Sequence, residues 1–309
     1  MEILFLNPVF KEMIWGGDKM KQKFEYDIPS NQTGECWAIA AHEQGDCEIL
    51  NGQFKGIKLS DLWKEEKALF GNSQGDKFPL LTKIIDAKTD LSIQVHPDDE
   101  YARINENGSL GKTECWYVLE CEENTTIVIG HNATTEDELK EMIFQGRWQE
   151  FIREIPVKAG DFFQIEPGTV HAIKGGTMIL ETQQNSDITY RVYDYDRLSD
   201  GKPRPLHVEK SIDVISVPYV NHIHKEGQGQ TINEIFEELV SCKYYTVWKC
   251  QIHGENIIIQ DKDFMLVSVI EGQGEINGEK IKKGDHFILP YGYGEGKMTG
   301  DMTLICSAV

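Results

Sequence analysis

No apolar run among the 309 residues approaches the roughly 20 that a membrane helix needs, so no helical membrane span is expected. Positive charge is scarce too. Lys and Arg number 31 against 51 Asp and Glu, a net charge of -20, and no basic stripe interrupts the deficit. Binding to nucleic acid or to an anionic membrane surface depends on clustered Lys and Arg, so neither partner is expected. The seven cysteines, at 36, 47, 115, 121, 242, 250 and 306, are odd in number, scattered and without a CxxC pair, which argues against a disulfide framework. Met1-Glu2-Ile3-Leu4-Phe5 offers no basic region, long apolar core or small-residue cleavage site, and so predicts no secretion signal. A reducing cytoplasm fits these absences best.

Helical periodicity is limited to Ser60 to Phe70, the stretch after Pro97, Thr135 to Arg147 and Ile232 to Val240. What fills the rest are short β-branched and aromatic runs punctuated by Gly, Asn and Asp, such as Thr126 to Gly130, Asp161 to Ile165 and Phe264 to Ile270. Many short strands with such turns predict a mainly β sandwich or barrel. The length suits one elaborated domain or two modest ones.

Two segments repeat one pattern. Gly160-Asp161 and Gly284-Asp285 each precede a strand and a Pro/Gly corner, with Gly168 and Gly292 each eight residues after the first Gly. Pro290 lies six residues after its Gly and Pro167 seven. The pattern resembles the second motif of cupins, antiparallel jelly-roll barrels, and implies two such barrels with a few short helices. Eleven residues after the Gly, where cupins keep a metal-binding His, the first copy has His171 and the second Glu295. The division this implies is a metal-binding catalytic unit over residues 1–225 and a degenerate barrel without a metal site over 226–309, with the junction in Asn221 to Gln230.

Leu91 to Asp98 alternates as a strand, which puts Gln94 and His96 on one face at a chelating spacing. The same alternation pairs Lys112 with Glu114. With His171 these residues make a nitrogen and oxygen ligand set suited to a borderline divalent ion such as zinc. A lone histidine is more often a satisfied or exposed residue, Glu114 alone is equally a solvated strand charge, and Gln94 alone equally bonds backbone. The shared pattern favours ligation.

Pro79 to Asp98, Gly111-Lys112-Thr113-Glu114-Cys115-Trp116, Gly168 to Ala172 and Tyr190 to Arg197 resemble the type I mannose 6-phosphate isomerases, especially the short bacterial form. Asn7-Pro8, Trp15-Gly16-Gly17 and Gly34-Glu35-Cys36-Trp37 are similar too. The resemblance implies one Zn2+ per chain on His96, Glu114, His171 and Gln94. It also implies an essential arginine at Arg191, Lys83 and Lys112 beside it toward the phosphate or a developing enediolate, and a phosphorylated hexose, with mannose 6-phosphate and fructose 6-phosphate interconverted through a cis-enediol. Trp15 and Glu181 complete the expected substrate contacts. The longer eukaryotic form has Pro where this chain has Thr113, and its helical insertion is missing here.

Isomerisation needs oxyanion stabilisation and an acid/base group. Glu181 and His42 are both candidates for the latter. Asp194 and Asp196 are expected to orient basic groups, and His222, His224, His131 and His253 lack a partner pattern. His96, Asp98 and His171 also spell a facial triad for an iron(II) oxygenase, although Pro97 is expected to start a helical turn that swings Asp98 away. A noncatalytic sugar-binding cupin is the other alternative. The assembly is expected to be a monomer or homodimer.

Overall fold

The computed structural model describes residues 1–199, 201–220, 230–232 and 234–309. The chain is mainly β, with a few short helices, and three antiparallel sheets carry the architecture. A six-stranded sheet runs in the order Phe162–Ile165, Glu114–Cys121, Thr177–Gln184, Leu80–Ala87, Val9–Gly17, Thr33–Ile39. A five-stranded sheet runs Ile152–Pro156, Thr126–His131, His171–Ala172, Ile93–Val95, Tyr190–Tyr193. Trp15, Ile85, Trp116, Val118 and Ile179 of the first share one core cluster with Ile127, Ile129 and Ile173 of the second, so the two sheets face each other.

Leu80–Ala87 and Thr177–Gln184 are buried at every position. Both faces of these central strands are covered, which is why they lack the hydrophobic-polar alternation of a half-exposed strand. Ile84, Cys115, Tyr117, Met178 and Leu180, on the face turned from the first cluster, join Tyr245, Val247, Phe264, Leu266 and Ile305 in a second core. That core ties the six-stranded sheet to a nine-stranded sheet built chiefly from Thr246–Gln260, Met265–Ile276 and Gly294–Ala308. Leu4–Asn7 also enters this last sheet, with Leu4 opposite Ile288, so the amino-terminal strand belongs to the carboxy-terminal sheet. The expected junction around residue 225 lies outside the described residues.

The repeated Gly-Asp motif makes the same turn twice. Gly160 and Gly284 have φ of 90° and 94°, a left-handed region that suits glycine, and the Asp161 and Asp285 carboxylates accept from the Lys158 and Lys282 amides at 2.9 and 2.8 Å. The expected helix at Ile232 to Val240 is corrected: Phe236–Ser241 is a strand, paired with Thr246–Gln260 from Phe236 opposite Cys250 to Ser241 opposite Thr246. Local helix preference is weak against the gain from closing a hairpin onto a sheet. The other three helical stretches form as Leu59–Glu65, Asp99–Asn105 and Glu136–Phe144, the first continued by a 3-10 turn over Lys67–Phe70. All seven cysteines are free thiols, and among the described residues no helix is long and apolar enough to cross a membrane.

Candidate metal centre and substrate cavity

Along each strand facing the first core, the inward side chains change from apolar to polar toward one end of the sandwich. Ile85 is followed inward by Lys83, Ile179 by Glu181, Val118 and Trp116 by Glu114, and Ile173 by His171. In the five-stranded sheet Gln94 stands directly opposite His171 on one side and Arg191 on the other. In the six-stranded sheet Glu181 stands opposite both Lys83 and Trp116. Period-two alternation and register together gather these residues.

His96, Glu114 and His171 are buried, with a ligand atom of each lying within 4.8 Å of the others. His96 Nδ1 donates to the Ile188 carbonyl at 2.8 Å and His171 Nδ1 to that of Thr169 at 2.9 Å. Those bonds set the tautomers, and both Nε2 lone pairs turn inward, 3.1 Å apart. The two carboxylate oxygens of Glu114 stand 3.5 Å from one or the other Nε2. Gln94 contributes its amide at 3.2 Å from His171 Nε2, and Lys112 Nζ lies 3.2 Å from His96 Nε2.

Burial sets the charges here. It holds both imidazoles neutral, His96 well below the usual range and His171 near about 4, with Lys112 opposing protonation of each. Burial and then the nearby Glu181 push the Glu114 carboxyl up to about 7 against the pull of Lys112. Lys112 resists its own burial, and Glu114 at 2.6 Å, with Glu181, raises it to about 12. Glu181 likewise resists burial and is held below the ordinary carboxylate value by Lys112 and Lys83. The Trp116 indole N–H is shared between Glu114 and Glu181, at 3.1 Å from each. Two inward lone pairs beside crowded carboxylates form a donor set that accepts a divalent cation.

A cavity of about 380 Å³ opens over this centre, and Trp15, Lys83, Gln94, Lys112, Glu181 and Arg191 all line it. His42 does not: it stands behind the wall, against the lining residues Asp187 at 3.6 Å, Gln44, whose backbone amide donates to its Nδ1 at 3.2 Å, and Trp37. The facial triad does not form. Asp98 Oδ1 accepts from the Tyr101 amide at 2.8 Å as the N-cap of Asp99–Asn105, which turns it away from the histidines. Asp194 does orient basic groups, pairing Arg197 and Arg204, and Asp196 is exposed. His131 bonds the Ser216 carbonyl and His253 pairs with Asp301 at the surface. Glu295 is exposed, and His222 and His224 fall outside the described residues.

Sequence reasoning gives no role to Glu35, Trp37, Trp116, Asp187 or Arg204. Alternation puts Glu35 and Trp37 on one strand face, but only the pairing of Trp37 with Lys83 across strands brings that face to the cavity. Arg204 arrives on the loop after Lys202–Pro203 and has no periodic signal.

Residues 3–124 match the family described as "Phosphomannose isomerase type I, catalytic domain" and residues 236–309 that described as "Mannose-6-phosphate isomerase, cupin domain". The chain is 53% identical to the mannose-6-phosphate isomerase ManA of Bacillus subtilis over 99% of its own length and 98% of that protein. Identity to the mannose-6-phosphate isomerase of Streptococcus mutans is 46%, over 99% and 98% of the two chains. The crystal structure of the mannose 6-phosphate isomerase from Bacillus subtilis superposes over 100% of both chains with a TM-score of 0.96 at 48% identity. On this similarity and on the fold that carries it, the chain is a member of the type I mannose-6-phosphate isomerase family.

Proposed function

We propose that the protein interconverts mannose 6-phosphate and fructose 6-phosphate, moving a proton between C1 and C2 through a cis-enediol, with Zn2+ held by His96, Glu114 and His171 and by Gln94 as fourth ligand. The observation that carries this reading is the pair of buried Nε2 lone pairs converging 3.1 Å apart beside Glu114 at one end of the cavity. Bound there, the ion supplies Lewis-acid polarisation of sugar oxygens. Gln94 presents its oxygen to the ion by rotation of its amide, which exchanges the two ends of a planar group.

Lys112, a permanent cation fixed by Glu114 and Glu181, stabilises negative charge developing on the sugar oxygens without reorganising. Of the two acid/base candidates, Glu181 lines the cavity as an ionised carboxylate, with Oε1 taking no hydrogen bond; it is the proton carrier in this reading. Trp15 supplies an apolar wall. The two copies of the Gly-Asp turn support two cupin-type barrels, the first over residues 1–225 with the metal, less the strand Leu4–Asn7 that joins the far sheet, and the second over 226–309 without it. The enzyme acts in the cytoplasm, as a monomer or homodimer.

A coupled assay in both directions, before and after chelator treatment, tests substrate and metal together. Oxygen-independent turnover lost with the metal and restored by zinc is expected. Turnover indifferent to chelation, or ligand binding without turnover, contradicts it.

A further inference from the structure

The basic residues of the cavity divide into two groups of opposite balance. Lys83 and Lys112 face three carboxylates: Lys83 lies 3.8 Å from Glu35 and 3.5 Å from Glu181, and Lys112 lies 2.6 Å from Glu114 and 3.9 Å from Glu181. That end carries surplus negative charge and suits a cation. At the other, Arg191, Arg197 and Arg204 surround a single carboxylate, the buried Asp194. Arg191 and Arg204 line the cavity with Arg197 behind them, so basic charge gathers here around Asp194, in a protein that is otherwise strongly acidic, although Asp187 also stands on the cavity wall.

Within that group the arginines are placed differently. Arg197 is tied to Asp194 and to the Asp90 carbonyl and does not line the cavity. Arg204 does line it. Its Nε and one terminal nitrogen bond the two oxygens of Asp194 at 2.6 and 2.5 Å, a side-on pair that fixes the guanidinium plane. The second terminal nitrogen has no partner among the described residues. Arg191 gives one terminal nitrogen to the Pro205 carbonyl at 2.9 Å, next in sequence to Arg204, while its buried Nε takes no partner. A planar guanidinium held on one edge with donors left on another is the arrangement that grips phosphate oxygens.

We propose that Arg204, positioned by Asp194, binds the terminal phosphate of the substrate together with Arg191 and so makes the enzyme specific for phosphorylated sugars. The inference deepens the isomerase reading and rests on it. It also orients the sugar. His171, Gln94 and Arg191 are successive cross-strand neighbours, so Arg191 stands one strand spacing from Gln94 and two from His171, about 5 to 10 Å along the sheet from the ligand strands. A six-carbon chain can bridge that gap with its carbonyl end at the metal and its phosphate at the arginines. Lys83 and Lys112 are then left to the reacting oxygens.

Arg204→Gln in the zinc-loaded protein tests this by steady-state kinetics with mannose 6-phosphate and by competitive inhibition with inorganic phosphate. A lost charge-assisted contact predicts that KM and the phosphate inhibition constant rise together by about 10- to 100-fold, with kcat changing less. Arg204→Lys, which keeps charge without the fork, should fall between. Wild-type KM and phosphate inhibition in a folded Arg204→Gln protein overturn the proposal. Crystals of the unmutated protein soaked in inorganic phosphate give a second arm that needs no variant: the ion is expected between Arg191 and Arg204, and a phosphate held by Lys83 and Lys112 instead also overturns it. Should the unmutated protein bind phosphate at the arginines yet not turn over mannose 6-phosphate, the isomerase reading fails while the phosphate site stands.

Discussion

Glu114 is the residue on which the proposed metal centre turns, because its carboxylate would be the one negative ligand and it touches Lys112, both histidines and Trp116. Glu114→Gln keeps the shape and removes the charge. It is expected to weaken metal retention by about 100-fold or more, since even the outer partners of metal ligands are worth 10- to 100-fold; metal content after gel filtration is the measurement. Trp116→Phe removes one N–H that two buried carboxylates share. It should cost about 1–3 kcal/mol in urea unfolding and lower metal retention with little change of shape. Gln94, His96, Lys112 and Glu114 were legible in the sequence because strand alternation is a local rule and fixes which side chains share a face. His171 was legible from the spacing after Gly160. Arg204 was not, since only the closure of its loop onto Asp194 brings it to the cavity wall. The carboxylate surplus around Lys83 was equally hidden, because Glu35 and Glu181 reach that lysine across strands distant in the chain.

Among the elements, the repeated Gly-Asp turn has the clearest consequence for stability. Gly284 has φ of 94°, and an added Cβ would sit 3.0 Å from the Tyr26 ring. Gly284→Ala is therefore expected to destabilise the protein by about 1–2 kcal/mol from the backbone alone, visible as a lower melting temperature. Strand against helix was legible where period-two patterning was sustained, as in Thr126–His131. It failed at Phe236–Ser241, whose alternation is interrupted by paired glutamates and whose strand partner starts only after the turn at Cys242 to Tyr245. Two helix starts are capped by their own side chains, Thr135 and Asp98 each accepting from the amide three residues on, whereas Leu59–Glu65 follows Lys58 with no side-chain cap.

At the scale of the molecule, the two ends of the chain are joined through a shared core and through a buried chain from Tyr26 to His286 at 2.7 Å and on to Ser268 at 2.9 Å. Burial lowers His286 from 6.5 to about 3. The folded state thus binds fewer protons than the unfolded state between those values, and stability falls as pH drops below about 6.5, by up to about 1.4 kcal/mol per pH unit from this group. Urea unfolding at pH 7.5 and 5.5 should show a smaller loss in His286→Gln than in the unmutated protein; an equal loss would remove His286 from the account. The overall β class and the gathering of His96, Glu114 and His171 were legible from strand runs and motif spacing. The entry of Leu4–Asn7 into the far sheet was not, because a pairing with Ile288 and Phe287 leaves no local trace. The central claim, a metal ion inside the triangle of His96, Glu114 and His171, is tested most directly by anomalous diffraction at the zinc absorption edge from crystals of the active protein. The account predicts one peak at about 2.0–2.2 Å from both Nε2 atoms and from a Glu114 oxygen; full activity with no peak there, or with a peak on other residues, would contradict it.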